Sequence, residues 1–240
     1  MTLRSAAQTD IGLYRKRNED RFLCDENLGL FGVADGIGGL PGGAEAAECA
    51  VEAVRRCCIA AQPASVPDLE ACIAVANRDV LEKGLAMSHI DGIGTTLSFG
   101  VLRNETLHIA HIGDSRCYLL REGKLLQLSS DHNVETEASA RVAQGKSVLL
   151  TERNRGALTR CIGQFVTPKP DIILRPLLPG DLCLFCTDGL YRSIKGKEFV
   201  GVLSKAVDLD VTLRELIALA NLRGGYDNST GVLLKVEACS

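Results

Sequence analysis

The 240-residue chain contains no run of about 20 apolar residues of the kind a membrane span requires. Its first residues, Met1-Thr-Leu-Arg-Ser-Ala-Ala-Gln8, hold no apolar stretch of signal-peptide length. A cytoplasmic location with no membrane partner is therefore expected. Basic charge is not in excess either, since 27 Lys and Arg against 30 Asp and Glu give a formal net charge of −3. Tryptophan is absent and aromatics make up 4% of the chain, which leaves no basic, aromatic-rich stripe of the kind that binds nucleic acid. Low-complexity linkers and internal repeats are also missing. Nothing divides the chain, so residues 1–240 read as one domain, burying about 70–75% of its unfolded surface.

Cysteine, in contrast, is plentiful at ten residues. Most of them lie in apolar runs, where a free thiol behaves as a small hydrophobe, and a disulfide framework is not expected. Cys183-Leu-Phe-Cys186 has CxxC spacing, but residues three apart on a strand face opposite ways and do not readily share a metal or a bridge.

The stretch that organises the rest is Leu28-Gly-Leu-Phe-Gly-Val-Ala-Asp-Gly36, an apolar run ending in Asp35-Gly36. Such a run reads as a strand covered on both faces that delivers one carboxylate to the sheet rim. Leu182-Cys-Leu-Phe-Cys-Thr-Asp-Gly189 repeats the pattern one residue shorter. Helical spacing predicts one helix after Gly42-Gly43, ended by Pro63 and Pro67, a second from Asp68, and a last one through Leu209, Leu213, Leu216, Ile217 and Ala220. Further strands are expected at 2–9, 21–24, 170–176, 181–187 and 231–236. Strands at 95–102, 106–112, 115–121 and 124–128 read as an antiparallel meander, which makes the fold α+β rather than doubly wound. From Asp131 to Gly156 the apolar density drops, and 131–156 is a candidate mobile flap with a short helix over Val134–Gln144.

Asp35, Asp114, Asp188 and Asp227 each stand at a strand end or a glycine-rich bend, with Glu19 and Asp20 one hairpin from Asp35. Any one of them alone is an ordinary turn aspartate. If they converge, their mutual repulsion demands cations, and an all-oxygen donor set suits Mg²⁺ or Mn²⁺ rather than zinc. Of the four histidines, His89 and His132 are expected on solvent-facing loops and His108 and His111 to be structural. His111 is kept as a weak neighbour of Asp114.

Arg15-Lys-Arg-Asn-Glu-Asp20, Val33-Ala-Asp-Gly-Ile-Gly-Gly39, Gly94-Thr-Thr96, Gly113-Asp-Ser-Arg116, Leu158-Thr-Arg160, Cys186-Thr-Asp-Gly189 and Gly225-Tyr-Asp-Asn228 stand in an order and spacing that cover nearly the whole chain. In these motifs the chain resembles the type 2C metal-dependent serine/threonine protein phosphatases, the PPM family, in its compact bacterial form. The resemblance implies a four-layer α-β-β-α sandwich of two antiparallel sheets flanked by helices. It also implies that Asp35 bridges two Mn²⁺ or Mg²⁺ ions and that the Gly36 carbonyl binds one of them. Asp188 and Asp227 would complete the other shell, and Asp114 with Asp188 would hold a weaker third ion. Glu19 and Asp20 would hold metal-bound waters, Arg15 would bind phosphate, and Thr95, Thr96 and Asn228 would orient the ligands. Arg17 stands where a small polar residue is usual and reads as surface charge.

By the same resemblance, a metal-bridging hydroxide attacks phosphorus directly. Many relatives carry histidine after the Asp-Gly and another after the two glycines that follow, a source for the leaving group's proton. Here those positions are Ile37 and Leu40, so no side-chain acid can be named. The expected substrates are proteins phosphorylated on serine or threonine by a cognate bacterial kinase, with the enzyme acting as a monomer. The competing reading is a catalytically weak or inactive phosphoprotein-binding module on the same fold, which loss of Asp35, Asp188 or Asp227 would favour. None is lost.

Overall fold

Apolar residues at nearly every strand position require cover on both faces of a sheet, and the computed structural model supplies it. It describes residues 2–37, 42–62, 65–87, 92–146 and 150–237, so Leu40, Pro63, His89 and Cys239 lie outside the described residues. One sheet has the order β1 (Thr2–Asp10), β10 (Ser229–Glu237), β9 (Leu182–Cys186), β6 (Arg116–Arg121), β7 (Lys124–Gln127). The other has the order β2 (Asp20–Asp25), β3 (Leu30–Asp35), β4 (Leu97–Arg103), β5 (Thr106–Ile112), β8 (Asp171–Pro176). Every described strand pairing is antiparallel.

Alternation along each strand divides the core into three layers. Phe31 and Val33 of β3 meet Cys183 and Phe185 of β9 between the sheets, together with Leu119, Val232 and Leu234. The opposite faces meet helices. Leu30, Ala34, Leu97 and Phe99 pack against α1 (Gly43–Ala60) and α2 (Leu69–Met87). Leu182, Leu184 and Cys186 pack against α5 (Gly196–Leu203) and α6 (Leu209–Leu222). The fold is thus the expected α-β-β-α sandwich, and Cys183 and Cys186, both free, lie in different layers. The helix starts follow capping chemistry, with Asp68 accepting from Ala71 N at 3.0 Å and Asp208 from Val211 N at 2.9 Å.

The chain differs from the expected meander at one point. β4 and β5 belong to one sheet and β6 and β7 to the other, so the bend at Gly113-Asp114-Ser115 is a crossing between sheets. Local alternation shows where strands are but not which sheet each one joins.

His132, expected on a solvent-facing loop, is only 2% exposed. Its ring lies 4.6 Å from that of His111, its Nδ1 accepts from Gly113 N at 3.1 Å, and its Nε2 stands 3.2 Å from Asp171. His111 is structural as expected and does not reach Asp114. Its Nε2 donates to Ser130 O at 3.0 Å and its Nδ1 pairs with Ser98 Oγ at 2.7 Å. Burial, then the neighbouring His132, lowers the His111 pKa to about 4.

Phe185 is fully buried between the sheets, where the small size of Gly100 on β4 leaves room for its ring. Phe185→Ala is expected to lower unfolding free energy by about 3–5 kcal/mol in urea titration. Leu126→Ala, at a 44% exposed position, is expected to stay within about 0.5 kcal/mol.

Candidate active site

Both sheets deliver their acidic strand ends to the same edge of the sandwich. The β2–β3 register sets Asp20 opposite Asp35. Asp35 is then held by its backbone: its N–H donates to Thr96 Oγ1 at 2.9 Å, and its carbonyl accepts from Thr96 N at 2.9 Å and Thr95 Oγ1 at 2.8 Å. Thr95 and Thr96 therefore orient the strand end that carries the carboxylate rather than the carboxylate itself. Gly36 follows because a Cβ there would lie 2.4 Å from the Gly43 carbonyl oxygen at the start of α1.

Asp114 hangs on the inter-sheet crossing. Gly113 turns that corner at φ 104°, and a Cβ on it would stand 2.6 Å from Thr96 Cβ, so the crossing and the Asp35 anchor pack directly together. Asp188 opens α4 (Asp188–Tyr191) just past the end of β9. Asp227 immediately precedes Asn228 and β10. Asn228 Oδ1 accepts from Glu19 N at 2.9 Å, and its Nδ2 donates to Ile11 O and Arg17 O at 2.9 and 3.1 Å. One amide side chain thus joins the Glu19 loop to the Asp227 loop.

These groups surround an open cavity of about 430 Å³ lined by Arg15, Glu19, Asp35, Gly36, Ile37, Thr96, Asp114, Asp188, Arg192, Asp227 and Asn228, with Gly156, Ala157, Leu158 and Cys161 on the remaining wall. Of the expected residues, Asp20 and Thr95 are not in the lining. Asp20 is sealed behind Asp35, its Oδ2 accepting from Thr187 Oγ1 at 2.8 Å and Thr230 Oγ1 at 2.7 Å. Arg17 faces away and pairs with Glu45 at 2.6 Å.

Five carboxylates of the lining face two guanidiniums. Arg15 Nη2 reaches Asp227 Oδ2 at 2.6 Å, while Arg192 reaches Asp114 and Asp188, each at 3.1 Å. Burial, reinforced by Asp20 and Asp188, pushes the Asp35 carboxyl well above the usual carboxylate range. Burial raises Asp20 to about 7 against the pull of its two threonine hydroxyls, and Asp114 to about 6 with Asp188 adding to it. Asp188 is raised by burial, against Arg192.

Among the described residues, no three acidic, histidine or cysteine side chains are already closed into a metal cage, since Arg15 and Arg192 hold several of the acids. The surroundings nevertheless fit hard cations. The donors are all oxygens, burial and the neighbouring acids make the charged forms of Asp35, Asp114 and Asp188 costly without added positive charge, and Asp20 Oδ1 is buried without a hydrogen-bond partner.

Arg192 was missed by sequence reasoning. Its only sequence signal is a position four residues after Asp188, which has meaning once a helix is known to start there. Arg116, present in a quoted motif without a role, braces this wall: it makes a two-pronged pair with Asp131 at 2.9 and 2.7 Å and lies 3.8 Å over the Tyr191 ring. At the position after Gly36, Ile37 presents an apolar side chain to the cavity, as its identity implied.

The raised carboxyl pKa values carry a sign. Folded acids whose pKa lies above the unfolded value hold protons that a bound cation must displace, so cation binding strengthens as pH rises through about 6 to 7. Mn²⁺ is expected to raise the melting temperature more at pH 7.5 than at pH 5.5, read by differential scanning fluorimetry. Equal shifts at both pH values would contradict the site's electrostatics.

The protein phosphatase 2C family matches residues 15–209. A protein phosphatase 2C-type protein of Streptococcus pyogenes is 32% identical over 98% of this chain and 98% of its own. Among solved structures, the S. agalactiae serine/threonine phosphatase shares 30% identity at a TM-score of 0.86, over 98% of this chain and 100% of that one. The catalytic domain of the serine/threonine phosphatase PstP in complex with 2 manganese ions shares 29% identity at a TM-score of 0.84, over 98% and 99%. With the acidic cleft, the sandwich and these likenesses together, the chain belongs to the protein phosphatase 2C family and is a protein serine/threonine phosphatase.

Proposed function

We propose that the chain, a single domain over 1–240, hydrolyses phosphoserine and phosphothreonine on proteins by direct attack of water on phosphorus. In this reading it works as a cytoplasmic monomer opposing a serine/threonine kinase. The observation that carries it is the convergence of Asp35, Asp188, Asp227 and Arg15 on one cavity. Asp35, Asp188, Asp227 and the Gly36 carbonyl would hold two cations. When bound, these supply charge neutralisation and lower the pKa of a coordinated water.

The chain's own groups do the rest. Arg15 sits on the loop between β1 and β2, 40% exposed, and is bound to Asp227 through one nitrogen. Its planar fork can leave that carboxylate for phosphate oxygens. Glu19, half-buried beside Arg15, faces the cavity and is assigned to orienting water. Asp20 supports the cluster from behind, with two threonine hydroxyls fixing its carboxylate. Thr95, Thr96 and Asn228 hold the backbone so that Asp35, Glu19 and Asp227 need not reorganise during reaction. Ile37 gives the leaving alkoxide no side-chain proton, so water is the assigned donor. Gly156, Ala157 and Leu158 connect the wall to residues 131–156, the proposed flap over the substrate peptide.

Phosphate release from a panel of phosphoserine, phosphothreonine and phosphotyrosine peptides tests the reading. Mn²⁺-dependent release from the first two alone is expected, abolished by chelation. Asp35→Asn is expected to cut turnover by roughly 100-fold or more. Peptide binding without turnover would favour the phosphoprotein-binding module, and full activity in Asp35→Asn would contradict the assignment of that residue.

A further inference from the structure

We infer that Arg192 is the built-in cation of the Asp114–Asp188 pair, its guanidinium standing where a third divalent ion would otherwise be held, so that the site takes two ions and not three. The inference rests on the proposed reading of Asp35, Asp188 and Asp227 as cation ligands.

Asp114 and Asp188 expose only 7% and 15% of their side chains and share one guanidinium at the same wall. Two such carboxylates at one wall need a positive charge between them. Arg192 supplies it through two different nitrogens, Nη2 to Asp114 Oδ2 and Nη1 to Asp188 Oδ2, both at 3.1 Å. A guanidinium keeps its charge at any working pH, and its planar fork can span two acceptors that a single point charge could not.

Its placement is enforced from both sides. Arg192 follows α4 directly, one turn after Asp188, so the two side chains share a helix face. The preceding Tyr191 donates its hydroxyl to the Asp114 carbonyl at 3.0 Å and lies under Arg116, which is itself anchored on Asp131. The residue before Arg192 therefore ties α4 to the Asp114 crossing. A tethered charge held this way competes at high effective concentration with any free ion for the same oxygens. Arg15 differs, because among the described residues it reaches one carboxylate, through one nitrogen, from a loop.

The test is the number of Mn²⁺ ions bound, counted by equilibrium dialysis and by the loss of the free-ion electron paramagnetic resonance signal at pH 7.5. The unsubstituted protein is expected to saturate at two ions, and Asp114→Asn to leave that count unchanged. Arg192→Asn is expected to admit a third, weaker ion, and Arg192→Asn/Asp114→Asn to return the count to two. Far-ultraviolet circular dichroism on each protein confirms folding, and the Asp114→Asn arm stands even if an Arg192 variant fails it. A third ion in the unsubstituted protein that Asp114→Asn removes would overturn the inference, as would a count fixed at two in a folded Arg192→Asn. Fewer than two ions in the unsubstituted protein would overturn the underlying cation-ligand reading and the inference with it.

Discussion

Acidic side chains crowded into one partly dehydrated cleft repel one another, and the rest of the structure serves to hold them there regardless. Left to itself, each carboxylate would turn to water or take up a proton, and the upward shifts of Asp20, Asp35 and Asp114, set first by burial and then by the neighbouring acids, reflect this. Two sheets packed face to face overcome it by fixing the backbone at every point of delivery. β3 and β9 bring acids from opposite sheets, the crossing from β5 to β6 brings a third from the seam, and the turn before β10 brings a fourth.

The fixing is done by neutral groups. Thr95 and Thr96 clamp the Asp35 peptide, Thr187 and Thr230 hold Asp20, and Asn228 joins two loops. Hydroxyls and amides can satisfy backbone and carboxylate oxygens without adding charge that would compete with an incoming cation. Where charge does enter, through Arg15 and Arg192, it comes from the rim. The stability needed to hold such a cleft comes from the layers behind it, where Phe31, Phe99 and Phe185 are fully enclosed.

Much of this could be read in the amino-acid order. An apolar run ending in Asp-Gly signals a strand that stops at a rim, and it located both Asp35 and Asp188. The helical period located α1, α2 and α6 equally well. What could not be read depends on partners distant in sequence. The alternation of 106–121 is the same whether its strands share a sheet or cross between two. His132 stands in a polar stretch that does not mark it as buried, and its partners His111, Gly113 and Asp171 are all distant in sequence. Arg192 acquires its place from a four-residue helix too short to leave a periodic signal. The same limit applies to α5, whose eight residues passed without notice between the second Asp-Gly and α6.

The central claim is that the converged carboxylates form one cation site with Asp35 at its middle. Anomalous diffraction at the manganese edge from crystals soaked in Mn²⁺ tests it most directly. The account expects two strong peaks within coordinating distance of the Asp35 carboxylate, one also beside the Gly36 carbonyl and the other beside Asp188 and Asp227. Peaks elsewhere on the molecule, or none bordering Asp35, would contradict it.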